Sequence, residues 1–472
     1  MKKFIFSVLI LAIAFQGATV FAEEKKSDII EENVLEKSSG EKNPLLFSSA
    51  GWKNYVTAGT EIVVTNLLVY NFCTLILDQS WKKTNPKIMW ENFTSPWLWD
   101  TSHFLRNQVA HPYFGNIYFT LARSNGLNFL QALLMTHLGS FLYENCIEAG
   151  RNSLNDFITT SFAGAITGEV FYRLGNEASR IHPLLGALFN PAGGFNSILT
   201  GRKSRTEKSL IENLSFGLGG GFFGETISIK KDDDSSFADR FSPQLYFNAS
   251  VIYQNPYGHH TKEFLDQFNT KISGQISGNG YFFKGNFDGT FYSWPLYLNQ
   301  NADSNFGLSL NYDVWYSDSN YLSLNSAGLF FKQRLNLKDL SLGYGLETNF
   351  IFLGTIENSY AESGNFFVPE NFTYTFGPEA KLFVDLKSPL IGNLSGLCRL
   401  GYLNSYGTIS DGKSLEGNFF ILQGDLKYAH TIFKNLSLGI GLEVLNKIRI
   451  DNNAKYLNQL FFTSSIFVEY GF

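Results

Sequence analysis

The chain has 472 residues, enough for two domains, with a formal net charge of -5 and three cysteines. So small a charge carries no polyanion-binding signature and excludes nucleic acid as the partner, and three cysteines cannot build a disulfide framework in an exported protein. Aromatic residues at 16% and charged residues at 17%, with a mean hydropathy of -0.07, fit a membrane protein that spreads its lipid face over alternate positions.

Residues 1–22 read as a secretory signal peptide: Lys2 and Lys3 supply the charged start, residues 4–15 the apolar run, and Val20 and Ala22 the small side chains at the cleavage site. No cysteine follows that site, which disfavours lipid attachment there. Residues 23–50 are charged, polar and Ser-rich, a composition that predicts a disordered leader.

Residues 51–201 form a predicted helical domain. The run 52–80 is apolar but interspersed with Glu61, Thr65, Asn66 and Asn71, so it reads as a buried or interfacial helix rather than a spanning one. Pro86 and Pro96 then break the pattern within a cluster of four tryptophans, Trp81, Trp90, Trp97 and Trp99, which fits either a membrane interface or an ordinary core. Two further helices are predicted at 127–149 and 155–174, with Ser153 as N-cap and Asp156 as the acidic half of a capping arrangement. Gly164 and Gly168, beside Ala163 and Ala165, give the second of these a small-residue face for close approach of another helix, expected to be its hairpin partner. Cys73 and Cys146 fall in candidate helices and are a possible pair.

Several polar residues do not fit a simple apolar core. His137, Glu144 and Glu148 are spaced seven and four apart on one predicted helix face, and Glu169 with Arg173 is an i, i+4 pair. Together His111, Glu144, Glu148, Asp156 and Glu169 are the candidate acid, base or ligand groups. The spacing matches no known metal-ligand pattern, so neither a metal nor a cofactor is expected. The competing reading is a salt-bridged network of structural role that also takes in Asn107, Arg123, Asn125, Ser153, Asn155 and Arg173.

The runs HPYFGNIYFTLARSNG (111–126), Glu144 with Glu148, SLNDFITTSFAGAITGE (153–169) with Tyr172 and Arg173, and NPAGGFN (190–196) resemble a bacterial family called domain of unknown function 3943. The resemblance spans 107–201 and implies an exported, envelope-associated protein without an assigned activity. Tyr143 replaces the tryptophan that the family pattern leads one to expect, and Ser197 an arginine.

From 213 onward the period switches to two, predicting an antiparallel transmembrane barrel of about 12 strands, each at least the ~9–11 residues that a tilted strand needs. The run 436–450 is the clearest, with Leu436, Leu438, Ile440 and Leu442 on one face and Ser437, Gly439, Gly441 and Glu443 on the other. The candidate strands are 213–223, 243–254, 266–277, 280–293, 306–316, 321–335, 340–353, 373–386, 394–404, 417–430, 436–450 and 459–472. Asp313, Glu347, Glu379, Lys381, Asp425, Lys427 and Glu443 lie on the small-residue face, where they would line a polar lumen. Cys398 and His430 fall on the opposite, lipid-facing register.

A barrel whose last strand ends in the periplasm places 224–242, 354–372 and 405–416 outside as long loops, and puts the helical half on the periplasmic side, capping or plugging the barrel. The connections 255–265 and 294–304 are long where short turns are expected. The chain as a whole thus reads as α + β, located in the cell outer membrane, with membrane lipid as its surroundings and the barrel assembly machinery as its partner during biogenesis. Three functions are compatible with this layout: a structural or transport-type barrel, an envelope lipid-modifying or hydrolytic enzyme using the His/Glu/Asp group, or, from the outer loops alone, an adhesin or surface receptor.

Overall fold

The computed structural model describes residues 50–76, 83–100, 103–194, 208–231, 234–278, 280–296, 301–317, 320–357, 372–406, 408–410, 413–415, 417–450 and 456–472. The signal peptide, nearly all of the leader and Trp81 lie outside them. The chain divides into two compact units, one containing residues up to 98 and 114–207, the other 99–113 and 208–472. The helical domain expected over 51–201 thus cedes 99–113 to the barrel unit.

In the helical unit, α1 (Trp52–Asn71) continues as a π-helical turn, Phe72–Ile76. The run Trp52–Ile76 is long and apolar enough to cross a membrane by length and composition alone. Ala58, Ile62, Thr65, Asn66 and Val69 form its buried stripe, while Trp52, Val56, Val63 and Leu67 are exposed, and Asn66 is hydrogen-bonded to Tyr118 and, at 3.2 Å, to the carbonyl of Gly139. Helix α2 (Pro86–Thr94) begins inside the tryptophan-rich break, with Pro86 in its first turn and the Asn85 side chain accepting from Lys87 and Ile88 N–H. Helices α3 (His111–Ser124), α4 (Phe129–Leu142), α5 (Leu154–Ile181) and α6 (Pro183–Phe189) follow. A capping box between Asn128 and Gln131 starts α4, and the Ser153 hydroxyl caps α5 by accepting Asp156 N–H at 3.3 Å.

The small-residue face of α5 is used, but its partner is α3 rather than α4. A methyl group at Gly164 would lie 2.5 Å from the Gly115 Cα, and one at Gly168 would lie 2.8 Å from the Phe119 ring. Side chains at these two positions would hold the helices apart. No disulfide joins Cys73 to Cys146. Trp97 packs edge-on against Phe157 and is stacked on Phe141, whereas Trp90 is exposed.

The second unit is a closed antiparallel barrel of twelve strands: β1 (Ile211–Lys231), β2 (Asp234–Tyr253), β3 (Gln267–Ser277), β4 (Gly280–Pro295), β5 (Ala302–Ser317), β6 (Tyr321–Leu337), β7 (Leu340–Glu357), β8 (Phe372–Ser388), β9 (Gly392–Ser405), β12 (Asn418–Phe433), β13 (Leu436–Ile450) and β14 (Tyr456–Gly471). A small hairpin, β10 (Thr408–Ser410) with β11 (Lys413–Leu415), stands in the connection between β9 and β12. Pairing of β14 with β1 closes the barrel and removes both sheet edges.

The loop expected over 224–242 does not form. β1 and β2 stay paired out to Lys231 and Asp234, so the register set lower in the hairpin carries on through these polar residues. On β14, Leu460, Phe462, Ile466, Val468 and Tyr470 are outward and solvent-accessible, while Gln459, Phe461, Thr463, Ser465 and Phe467 are buried. Similar alternation on β1, β2, β12 and β13 gives the barrel an apolar outer belt suited to acyl chains.

Residues 99–113 lie on the outer wall of this barrel, near the ends of β5, β6 and β8 remote from Ile211 and Gly471. Phe104 sits between the rings of Tyr316, Tyr321 and Phe372 at 5.9, 5.2 and 6.1 Å. Trp99 is stacked on Tyr374 and Tyr406 at 5.0 and 4.9 Å. The Asn107 amide donates to the Tyr374 hydroxyl at 3.2 Å, and Ser323 donates to the Gln108 side chain at 2.6 Å. This segment lies at the end of the barrel opposite Ile211 and Gly471. Its aromatic and amide groups match a patch of tyrosines there, where lipid contact would leave those hydroxyls without partners.

Candidate functional site: the barrel interior

Within the helical unit Glu144 holds the backbone, while Asp156 and Glu169 bond neighbouring side chains. Glu144, 1% exposed, accepts the Ser153 N–H at 2.8 Å. Asp156 accepts from the Asn155 amide at 2.8 Å, and Asn155 in turn accepts from the Ser153 hydroxyl at 3.0 Å. Glu148 ends the π-helical turn Tyr143–Ile147, and its carbonyl accepts from Asn92 at 3.2 Å. That turn breaks the helical spacing on which a shared face with His137 depended. His137 instead packs edge-on against Phe157 and Phe162, and burial lowers its pKa against the opposing hydrogen bond to the Leu133 carbonyl.

Glu169 is fully buried between two guanidinium groups: Arg123 reaches both its oxygens, at 2.9 and 3.1 Å, and Arg173 approaches at 2.7 Å. Arg123 also stacks over Tyr172 and donates to the Leu127 carbonyl. Asn125 donates to Glu61 at 2.7 Å. These contacts form a buried network of hydrogen bonds and ion pairs. Asn107 and His111 belong with the barrel-side segment, where both are buried, His111 as the first residue of α3.

The denser concentration of chemistry is inside the barrel. Arg399 on β9 pairs with Asp313 on β5 and lies 3.5 Å from Glu379. Lys381 on β8 reaches Asp288 on β4 at 2.9 Å, Asp313 at 3.6 Å and Glu379 at 3.9 Å. Lys284 on β4 bonds Asp425 on β12 at 2.8 Å, and Lys271 on β3 bonds Glu443 on β13 at 3.0 Å. Glu347 accepts from Asn311 and from Asn349, and Lys427 pairs with Glu469. Most of these ion pairs join strands that are not neighbours in the sheet, so the side chains meet across the barrel axis.

All seven of the charges singled out in the sequence therefore point inward. Their partners Lys271, Lys284, Asp288 and Arg399 were missed, although each occupies the same alternating register, as Lys284, Asn286 and Asp288 show on β4. On the side remote from Ile211 and Gly471 the interior turns apolar, with Trp315, Leu324, Ile351, Leu403, Phe419, Leu445 and Phe461 packed as one cluster. Lys284 lies over the Trp315 ring at 4.4 Å, where the ionic layer meets the apolar one.

Toward Ile211 and Gly471 the interior opens into a cavity of about 390 Å³. The long connection 254–266 folds into this mouth: Tyr257 lies over the Arg334 guanidinium at 4.1 Å, and only a glycine at 343 leaves room for its hydroxyl. The connection is braced by Asp266, which accepts from Lys262 and Glu263 N–H and is 2.8 Å from His259. Its unexpected length is thus that of an in-turned loop.

The family model described as Domain of unknown function (DUF3943) matches residues 96–189. Among solved structures the chain is similar to the KdgM porin, at 12% identity over 53% of this chain and 99% of that one, with a TM-score of 0.21. It is also similar to a TodX monoaromatic hydrocarbon channel mutant, at 9% identity over 55% and 90% with a TM-score of 0.24. A third is the outer membrane protease OmpT from Escherichia coli, at 7% identity over 57% and 99% with a TM-score of 0.20. No curated relative matches the sequence.

Proposed function

We propose that this outer-membrane-type barrel is a structural anchor with a closed interior, held in outer-membrane lipid and carrying the helical unit, rather than an open diffusion pore. The observation that carries this reading is the layer of Arg399, Asp313, Glu379, Lys381 and Asp288, which meets across the axis directly below an apolar layer. An aqueous channel keeps its inward charges in water. Here Asp313, Glu379, Lys381 and Arg399 are each at most 4% exposed. In the helical unit the hydrogen bonding of Glu144, Asp156 and Glu169 supports a structural network over an acid–base site.

Planar-bilayer recording of the purified full chain tests the proposal. The expected result is no stable conductance step from the wild type, with steps appearing when Lys381 and Arg399 are both replaced by alanine. Persistent open steps from wild-type protein would defeat it.

A further inference from the structure

The interior cavity is of a size that takes small organic ligands. Almost every charge on its wall already has a partner: Lys271 has Glu443, Lys427 has Glu469, Lys381 has Asp288, and Arg334 and Lys387 share Asp385 at 3.7 and 3.6 Å. Lys332 departs from this pattern. It lines the cavity and is 7% exposed, yet among the described residues no carboxylate oxygen lies within 4 Å of its ammonium. Its close contacts are the rings of Phe330 at 4.6 Å and Phe383 at 5.6 Å. The acids that act on it from the same wall stay beyond ion-pair distance, Glu347 held by the neutral amides of Asn311 and Asn349 and Asp288 by Lys381.

An ammonium buried beyond ion-pair distance of the nearest carboxylates is only partly compensated, and two aromatic faces make up only part of the lost hydration. Tyr246, Tyr257, Phe383 and Phe467 also contribute to the wall, which makes the site suited to an apolar body as well as an anionic head. We propose that this cavity binds a small monoanionic organic acid, its carboxylate on the Lys332 ammonium and its apolar body against Phe383 and the neighbouring rings. The site stands apart from the question of conductance, since a closed barrel can hold a ligand in one mouth.

The test is a titration of the full chain in detergent micelles with 4-fluorobenzoate, followed by fluorine NMR. Saturable binding is expected, weakened roughly tenfold or more in Lys332→Met, as befits loss of a charge-assisted hydrogen bond. The uncharged 4-fluorobenzamide should bind wild type far more weakly, and inorganic phosphate should not displace the acid. Where Lys332→Met fails a heat-modifiability test for folding, the acid and amide compared on wild type decide the matter alone. Absence of saturable binding, equal binding of acid and amide, displacement by phosphate, or an unchanged affinity in a folded Lys332→Met would each overturn the assignment.

Discussion

Arg399 and Asp313 stand on strands β9 and β5, separated in the sheet by three others, and are joined through the middle of the barrel. Both are almost fully buried, so neither can exchange its partner for water. Replacing Arg399 with alanine would leave the buried Asp313 and Glu379 with Lys381, at 3.6 and 3.9 Å, as their one remaining described cation. The expected loss of barrel stability is about 3–5 kcal/mol. Asp313→Asn should cost less, because Arg399 keeps Glu379 at 3.5 Å. Urea unfolding in micelles, read by heat-modifiability, measures both; equal effects would mean that the pair acts alone rather than as part of the network.

The contact between Gly115 and Gly164 makes a second prediction. An added methyl at Gly164 meets the Gly115 Cα at 2.5 Å, and backbone cannot rotate aside as a side chain would. Gly164→Ala should therefore destabilise the α3–α5 packing by about 1–3 kcal/mol. Amide exchange in the two helices should quicken together, whereas exchange in β13 should not change.

The barrel was legible because a period of two has a single solution once one face must meet lipid. Run 436–450 shows this, with expected and observed limits coinciding at Leu436–Ile450. The hairpin over 224–242 was not, since its polar tip looks locally like a loop and pairing is set by the strand beside it. The helical unit was harder for a related reason. Gly164 announces a close contact without saying which helix makes it, and the π-helical turn at Tyr143–Ile147 shifts Glu144 and Glu148 out of the spacing that linked them to His137. Lys332 could not be singled out at all, because what marks it is its distance from the nearest carboxylates, a property of packing rather than of sequence.

A third prediction concerns the segment on the barrel's outer wall. Phe104 is completely buried, and three rings from β5, β6 and β8 surround it. Truncation to alanine should cost about 3–5 kcal/mol in the attachment of residues 99–113. Since the strands hold one another without it, the barrel should remain heat-modifiable while limited proteolysis now cuts within the segment. Unfolding of the barrel together with the segment would show instead that the strap is needed for closure.

The last prediction is a pH dependence in the helical unit. Burial pushes the Glu61 carboxyl from its ordinary 4.5 up to about 7, against a hydrogen bond from Asn125 that favours the ionised form. The folded unit therefore retains a proton over a range in which the unfolded chain has released it. Stability must fall as pH rises from about 4.5 to about 7 and level off above, because the folded state binds the extra proton only within that window. On the order of 2 kcal/mol of protection should be lost from α1 and from the end of α3 between acid and neutral pH. Glu61→Gln keeps a neutral side chain of the same shape, so it should show no such slope and exceed wild type in protection at alkaline pH. Hydrogen exchange on the full chain, corrected for the intrinsic pH dependence of exchange, reads both. A wild type that gains protection toward neutral pH would mean that Glu61 is ionised in the fold and that Asn125, not burial, sets its charge.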